Sequence, residues 1–123
     1  MPSTRTKADI EYSVMLTVLN FQREFMQSHY SHIQVRLLGA VIEVDLTRTA
    51  PIPAEKQLAK TREGCAQLKH IHRALFIAGQ DILTKQLEEL LGVNIREIVT
   101  DLEPLSGRNT IVIRLNETIG ISP

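Results

Sequence analysis

The stretch from Pro53 to Leu91 constrains the chain more than any other. Apolar residues recur there at Leu58, Cys65, Leu68, Leu75, Ile82, Leu83, Leu87 and Leu90, in steps of one, three, four and seven. Those steps gather them on one face of a helix with 3.6 residues per turn. The stretch reads as one long helix, or as two joined end to end near Gly64, and its apolar stripe requires other elements to cover it. Gly64 is a weak point, about 1 kcal/mol worse than Ala in a helix interior. Gly79 leaves room for a neighbouring element to pack closely, and Gly92 is placed to stop the helix.

The flanking segments supply the cover. A first helix is expected from about Asp9 to Gln27, with the Asp9 carboxylate near the positive end of the helix dipole. Val14, Val18, Phe21 and Phe25 form its stripe, and Leu16 and Leu19 widen it. Two alternating runs follow. Ile33, Val35 and Leu37 point one way, then Ile42, Val44 and Leu46 do the same after Gly39-Ala40, a pair suited to a primed hairpin turn. Pro51 and Pro53 hold the next loop extended, and Pro53 suits the first turn of a helix. Beyond Gly92 a second hairpin is expected. Asn94–Leu102 is rich in β-branched residues, Glu103–Arg108 carries turn residues, and Ile111, Ile113 and Leu115 share a face. Ile98-Val99 breaks the alternation, which calls for a bulge or for burial on both faces.

The order helix, hairpin, helix, hairpin makes an α+β fold of αββαββ type. It has two layers, with a four-stranded, mostly antiparallel sheet carrying the helices on one face. A single domain over residues 9–116 is expected, with flexible tails at 1–8 and 117–123. The other sheet face combines Arg36, Glu43, Asp45 and Arg114 with Val41 and Val112, a mixture that suits an interface in a homo-oligomer, a dimer being the commonest form.

Composition narrows the function classes. Lys plus Arg and Asp plus Glu both number 14, so the net charge is zero and the global basic field of a non-specific nucleic-acid binder is missing. Two Tyr, three Phe and no Trp leave few rings for base stacking. No run approaches the ~20 apolar residues of a membrane-spanning helix. The single cysteine, Cys65, excludes an internal disulfide; with a polar N-terminal segment it points to a reducing, cytoplasmic setting.

Catalytic and metal motifs are not evident. His70 and His72 are two apart and point to different sides of a helix. Cys65 and His72 lie about 10 Å apart along the axis. No Cys–His grouping has zinc spacing, and no metal or cofactor is expected. Cys65 sits on the apolar stripe, where a thiol is usually inert. No nucleophile elbow, P-loop or dinucleotide fingerprint is present, so an enzyme is not expected. The charge pattern is more informative. Arg62, Lys69 and Arg73 fall within about 40° of one another on a continuous helix and make a basic stripe, while Lys56 and Lys60 form a second pair four apart. These five are candidate contacts to an acidic partner or an anion. Asp101, near a strand end, and Glu55 are candidate carboxylates, structural or functional.

The run Pro53-Ala54-Glu55-Lys56-Gln57-Leu58-Ala59-Lys60-Thr61 carries a resemblance. With Gly64, the Lys69-x-x-x-Arg73 step, and Leu91-Gly92-Val93 before a strand ending in Thr100-Asp101, it resembles the MpsC family, named for a component of a sodium-translocating, membrane-potential-generating system. The likeness runs from about Tyr12 to Leu115. It implies a soluble cytoplasmic protein, at most peripheral to the inner membrane, that accompanies a transport system for cations or inorganic carbon. The implied partner is an integral membrane subunit. Lacking a span of its own, the chain cannot be the ion path. The competing expectation is a non-enzymatic domain that senses a small anion or nucleotide through the basic stripe.

Overall fold

The computed structural model describes residues 5–48 and 52–121. Its elements are α1 (Lys7–Glu24), β1 (His32–Leu38), β2 (Val41–Thr47), α2 (Pro53–Leu58), α3 (Arg62–Leu91), β3 (Ile95–Glu103) and β4 (Arg108–Leu115). The strands form one sheet in the order β1-β2-β4-β3, and each neighbouring pair is antiparallel. The α+β architecture is therefore as read from the alternating runs. Ile42, Val44, Leu46, Ile111 and Ile113 all turn to the helices and are fully buried. Gly39, with φ +62°, opens the two-residue turn of the first hairpin, a backbone state that glycine adopts without strain.

In β3 the irregularity lies elsewhere than expected. Ile98 faces the core and Val99 the open side in ordinary alternation; the register slips between Ile95 and Glu97, leaving Arg96 as the extra residue. The open face is crossed by ion pairs. Arg36 bridges Glu43 at 3.1 Å, Arg108 bridges Asp45 at 3.0 Å, and Arg114 bridges Glu97 at 3.3 Å. These pairs, exposed on one or both sides, contribute little each, but they make that surface well solvated rather than apolar.

α1 begins two residues before Asp9. Thr6 caps it, its hydroxyl accepting from the Asp9 N–H while the Asp9 carboxylate accepts from the Thr6 N–H, each at 3.1 Å. That hydrogen bond from the Thr6 backbone holds the Asp9 carboxyl below the usual carboxylate range. The helix ends at Glu24 rather than near Gln27, whose φ of +56° is left-handed. Ile10, Val14, Val18 and Phe21 are buried, whereas Leu16 and Phe25 stay exposed, so the stripe is narrower than its apolar residues implied. The Gln22 side chain is enclosed, and neither amide atom has a hydrogen-bond partner among the described residues.

The long stretch is two helices, and the break falls at residues 59–61, before Gly64. Thr61 caps α3, accepting from the Gly64 N–H at 2.9 Å. Gly64 is a requirement of the corner: a Cβ there would stand 1.8 Å from the Leu58 carbonyl oxygen of α2. Cys65 Sγ donates to the Ala59 carbonyl at 3.0 Å and ties the corner down. Pro53 takes the first turn of α2, while Pro51 lies outside the described residues. Gly92, with φ +73°, terminates α3.

The core face of α3 is rotated from the expected stripe. His72, Phe76, Gly79, Leu83, Leu87 and Leu91 are buried, whereas Leu75, Ile82 and, on α2, Leu58 are exposed. The reason is the placement of α1. Arg5 donates to the carbonyls of Leu90 and Leu91 at one end of α1. At its other end Phe21 meets Phe76 edge-on at 5.9 Å and the Phe25 ring closes on Gly79. α1 thus runs antiparallel along the C-terminal half of α3. At 30 residues α3 is about 45 Å long, and its N-terminal half continues past the end of α1. Beyond β4, Ile119 turns back and is buried in the core.

Candidate functional site

The overhang of α3 creates a cleft. Its walls are the turn after α1 (Met26, Ser28), the start of α2, the overhanging half of α3 (Leu68, His72), and the β3–β4 turn. About 170 Å³ of it is accessible to water-sized groups, less than the ~300 Å³ at which pockets for drug-sized ligands begin.

Arg48, just past the end of β2, supplies the cation. Its guanidinium donates to Glu55 at 2.8 Å and to Ser28 Oγ at 3.3 Å, and lies 5.7 Å from the Tyr30 ring centroid. Its Nε is buried without a hydrogen-bond partner among the described residues. Gly107, at φ +74°, keeps the turn close to the Arg48 stem: a Cβ there would be 3.4 Å from Arg48 Cβ. Glu55 is thereby the counter-ion of Arg48, a structural role for that candidate carboxylate.

Beneath Arg48 runs a buried chain of hydrogen bonds. Asn109 Nδ2 donates to the Tyr30 hydroxyl at 3.4 Å, and Thr100 Oγ1 donates to Asn109 Oδ1 at 2.9 Å. His72 Nε2 stands 3.2 Å from Thr100 Oγ1. Because the threonine hydroxyl has spent its proton on Asn109, Nε2 is the donor, and the other ring nitrogen is left to accept. Burial, and secondly the charge of Arg48, push the His72 pKa down, so the ring is neutral at pH 7. This cleft holds a compensated cation and a neutral imidazole. No group of three His, Cys, Asp or Glu side chains among the described residues is placed to hold a metal ion.

The basic residues are placed differently from one another. Arg62, Lys69 and Arg73 all lie on the unbroken α3, so their shared flank stands, and all three are exposed. Lys69 is 3.8 Å from Asp101 of β3, an exposed pair worth a fraction of a kcal/mol at most. Asp101 lies within the strand and pairs with α3. Lys56 belongs to α2 and Lys60 to the link after it, so these two do not extend the stripe along one axis. On the opposite flank of α3, Ile71, Leu75 and Ile82 are exposed with Ala78 between them.

Sequence reasoning missed the Arg48–His72 network. A signal was present: Asn109, Thr100 and His72 each occupy the core phase of their element, where an apolar residue is the usual tenant.

The sequence profile of the MpsC family, described as a Na+-translocating membrane potential-generating system, matches residues 6–117. The chain belongs to the MpsC family. The match takes in α1 through β4 and so covers the cleft, the α2–α3 corner and both flanks of α3. No match was found among curated proteins or among solved structures. For this MpsC-family chain, no helix among the described residues is long and apolar enough to cross a membrane.

Proposed function

We propose that this MpsC-family protein is a non-catalytic accessory component of a membrane system that moves cations or inorganic carbon. It resides in the cytoplasm and reaches the membrane by docking on an integral subunit. The observation that carries this reading is the family match over the whole folded core, joined to a chain whose described helices do not span a bilayer. The docking face is the basic flank of α3, where Arg62, Lys69 and Arg73 project from one rigid helix, and its complement is an acidic cytoplasmic loop. Rigid presentation matters here, because residues held on a helix lose little freedom on binding.

Affinity capture of the tagged protein from gently solubilised membranes tests the proposal, with Lys69→Glu/Arg73→Glu as the control. An integral membrane protein that copurifies with the native form and not with the double variant supports it. A partner retained by both forms moves the docking face elsewhere, and no membrane partner at all removes the reading.

The anion-sensing alternative has one observation in its favour, the buried Nε of Arg48 in the cleft, which has no hydrogen-bond partner among the described residues. The cleft's size limits such a ligand to a small anion and disfavours a nucleotide. A saturable thermal shift with bicarbonate or phosphate, absent in Arg48→Met, would favour it over accessory docking.

A further inference from the structure

The cleft beside the overhang of α3 is lined by two kinds of side chain. Arg48, Ser28 and His72 offer polar atoms, and Met26, Ile52, Leu68 and Leu102 offer apolar surface. Its charged side chains among the described residues are Arg48 and Glu55, paired at 2.8 Å. With the His72 ring neutral, the cleft carries no net charge. A lone anion would therefore leave it with an uncompensated negative charge, which is costly where water is scarce. His72 is placed to remove that cost. Its Nε2 is committed to Thr100 at 3.2 Å. Its Nδ1 has no partner among the described residues, yet it is not sealed from solvent as Arg48 Nε is, so it opens on the cleft that the ring lines. Protonation there creates an N–H that lacks an acceptor until an anion supplies one.

We infer that the cleft is a binding site for a short-chain monocarboxylate taken up together with one proton. The carboxylate lies against Arg48, Ser28 and His72, the alkyl end lies on the apolar wall, and a proton from solvent bonds to His72 Nδ1. The inference rests on the anion-sensing reading of this cleft and names its ligand class and its coupling to pH. The groups around the ring hold it neutral until an anion arrives. Burial, and then Arg48, oppose the imidazolium, while Asn109 of β4 and Asp101 of β3 favour it less strongly. Glu55 of α2 is engaged by Arg48, and the turn after α1 presents only the uncharged Gln27 and Ser28. On α3 itself Lys69 and Arg73 are exposed to solvent. A carboxylate beside Arg48 and His72 cancels the repulsion from Arg48 and adds an attraction of its own, so the ring takes the proton. A short alkyl tail covers the apolar wall, which an inorganic anion would leave wet, and the cleft is too small for a long one.

Calorimetric titration of butyrate into the full chain at about pH 8 and about pH 6 decides the matter, because the carboxylate itself stays ionised at both. The expected result is an affinity about tenfold tighter at the lower pH. The heats in two buffers of different ionisation enthalpy at about pH 7 should show most of one proton taken up per butyrate bound. His72→Gln should bind with the same affinity at both pH values and take up no proton. Arg48→Met should not bind, and both variants should keep the native circular dichroism. A native affinity that does not change with pH, or a pH dependence that persists in His72→Gln, overturns the inference. So does the absence of butyrate binding. In that case sulfate binding that is lost in Arg48→Met would leave the anion-sensing reading standing, and no binding of either anion would remove both.

Discussion

Gly64→Ala sets two effects of opposite sign against each other. Helix propensity alone favours the change by about 1 kcal/mol. The corner opposes it. The new Cβ would stand 1.8 Å from the Leu58 carbonyl oxygen, 2.7 Å from its carbon and 2.9 Å from Thr61 Oγ1. The nearest of these obstacles is backbone, so it has to retreat by about 1.5 Å to reach ordinary contact. That retreat loosens the Thr61 cap on the Gly64 N–H and the Cys65–Ala59 hydrogen bond. Overpacking of this kind costs about 1–3 kcal/mol and a lost cap about 1 kcal/mol. The net effect is a loss of about 1–3 kcal/mol after the propensity gain is taken off. Because α2 buries none of its own residues, the strain is relieved by swinging α2 away, and the damage should be local. Urea denaturation should show the loss, and hydrogen exchange should speed up at residues 53–61 while β2 and β4 keep their protection. A Gly64→Ala protein that is about 1 kcal/mol more stable, with unchanged exchange in α2, would refute the corner argument.

Other outcomes follow from the same geometry. His72 has its pKa lowered in the folded state, so as pH falls through the ordinary histidine range the unfolded chain takes up a proton that the native ring refuses. Stability is therefore full above about pH 6.5 and declines below it by at most about 1.4 kcal/mol per pH unit. Melting temperatures of native and His72→Gln proteins between pH 7.5 and 5.5 should show a shallower decline in the variant, and parallel curves would contradict this. Gln27→Gly removes a side chain from a left-handed residue at φ +56°; it should stabilise by about 1 kcal/mol and raise the melting temperature by a few degrees. Gln22→Leu replaces an enclosed amide that has no partner among the described residues. It should stabilise by about 1–2 kcal/mol in urea titrations, whereas a loss would mean that the amide is hydrogen-bonded after all.

The sheet was nearly all legible, because a period of two admits only one burial pattern: Ile42, Val44, Leu46, Ile111 and Ile113 could point nowhere but inward. Gly79 and Gly92 were legible for a related reason, since each marks a place where a side chain interferes with packing or with a left-handed turn. The core face of α3 was not. Two apolar stripes lie side by side on that helix, and the core stripe is interrupted by His72 and Gly79 while the exposed one carries Leu75 and Ile82. Counting apolar residues favours the wrong stripe; only the end of α1 beside Gly79 tells them apart. The helix break moved for a similar reason. A glycine in a helical pattern reads as weakness, but here it admits the carbonyl of Leu58. The cleft stayed hidden because Arg48 follows the end of β2 and meets its partners Ser28, Tyr30 and Glu55 only through tertiary structure. The family resemblance rested on the Pro53–Thr61 run, which proved to be α2 and its link to α3.

If the basic flank of α3 docks this MpsC-family protein on a membrane subunit, reversing its charge abolishes the docking. Its most direct measurement is the yield of integral membrane protein captured from solubilised membranes by the native chain, by Leu75→Glu and by Lys69→Glu/Arg73→Glu, each shown to be folded. Docking through the basic flank requires capture by the first two and at least a tenfold loss for the third. Equal capture by all three, or none by the native chain, would contradict it.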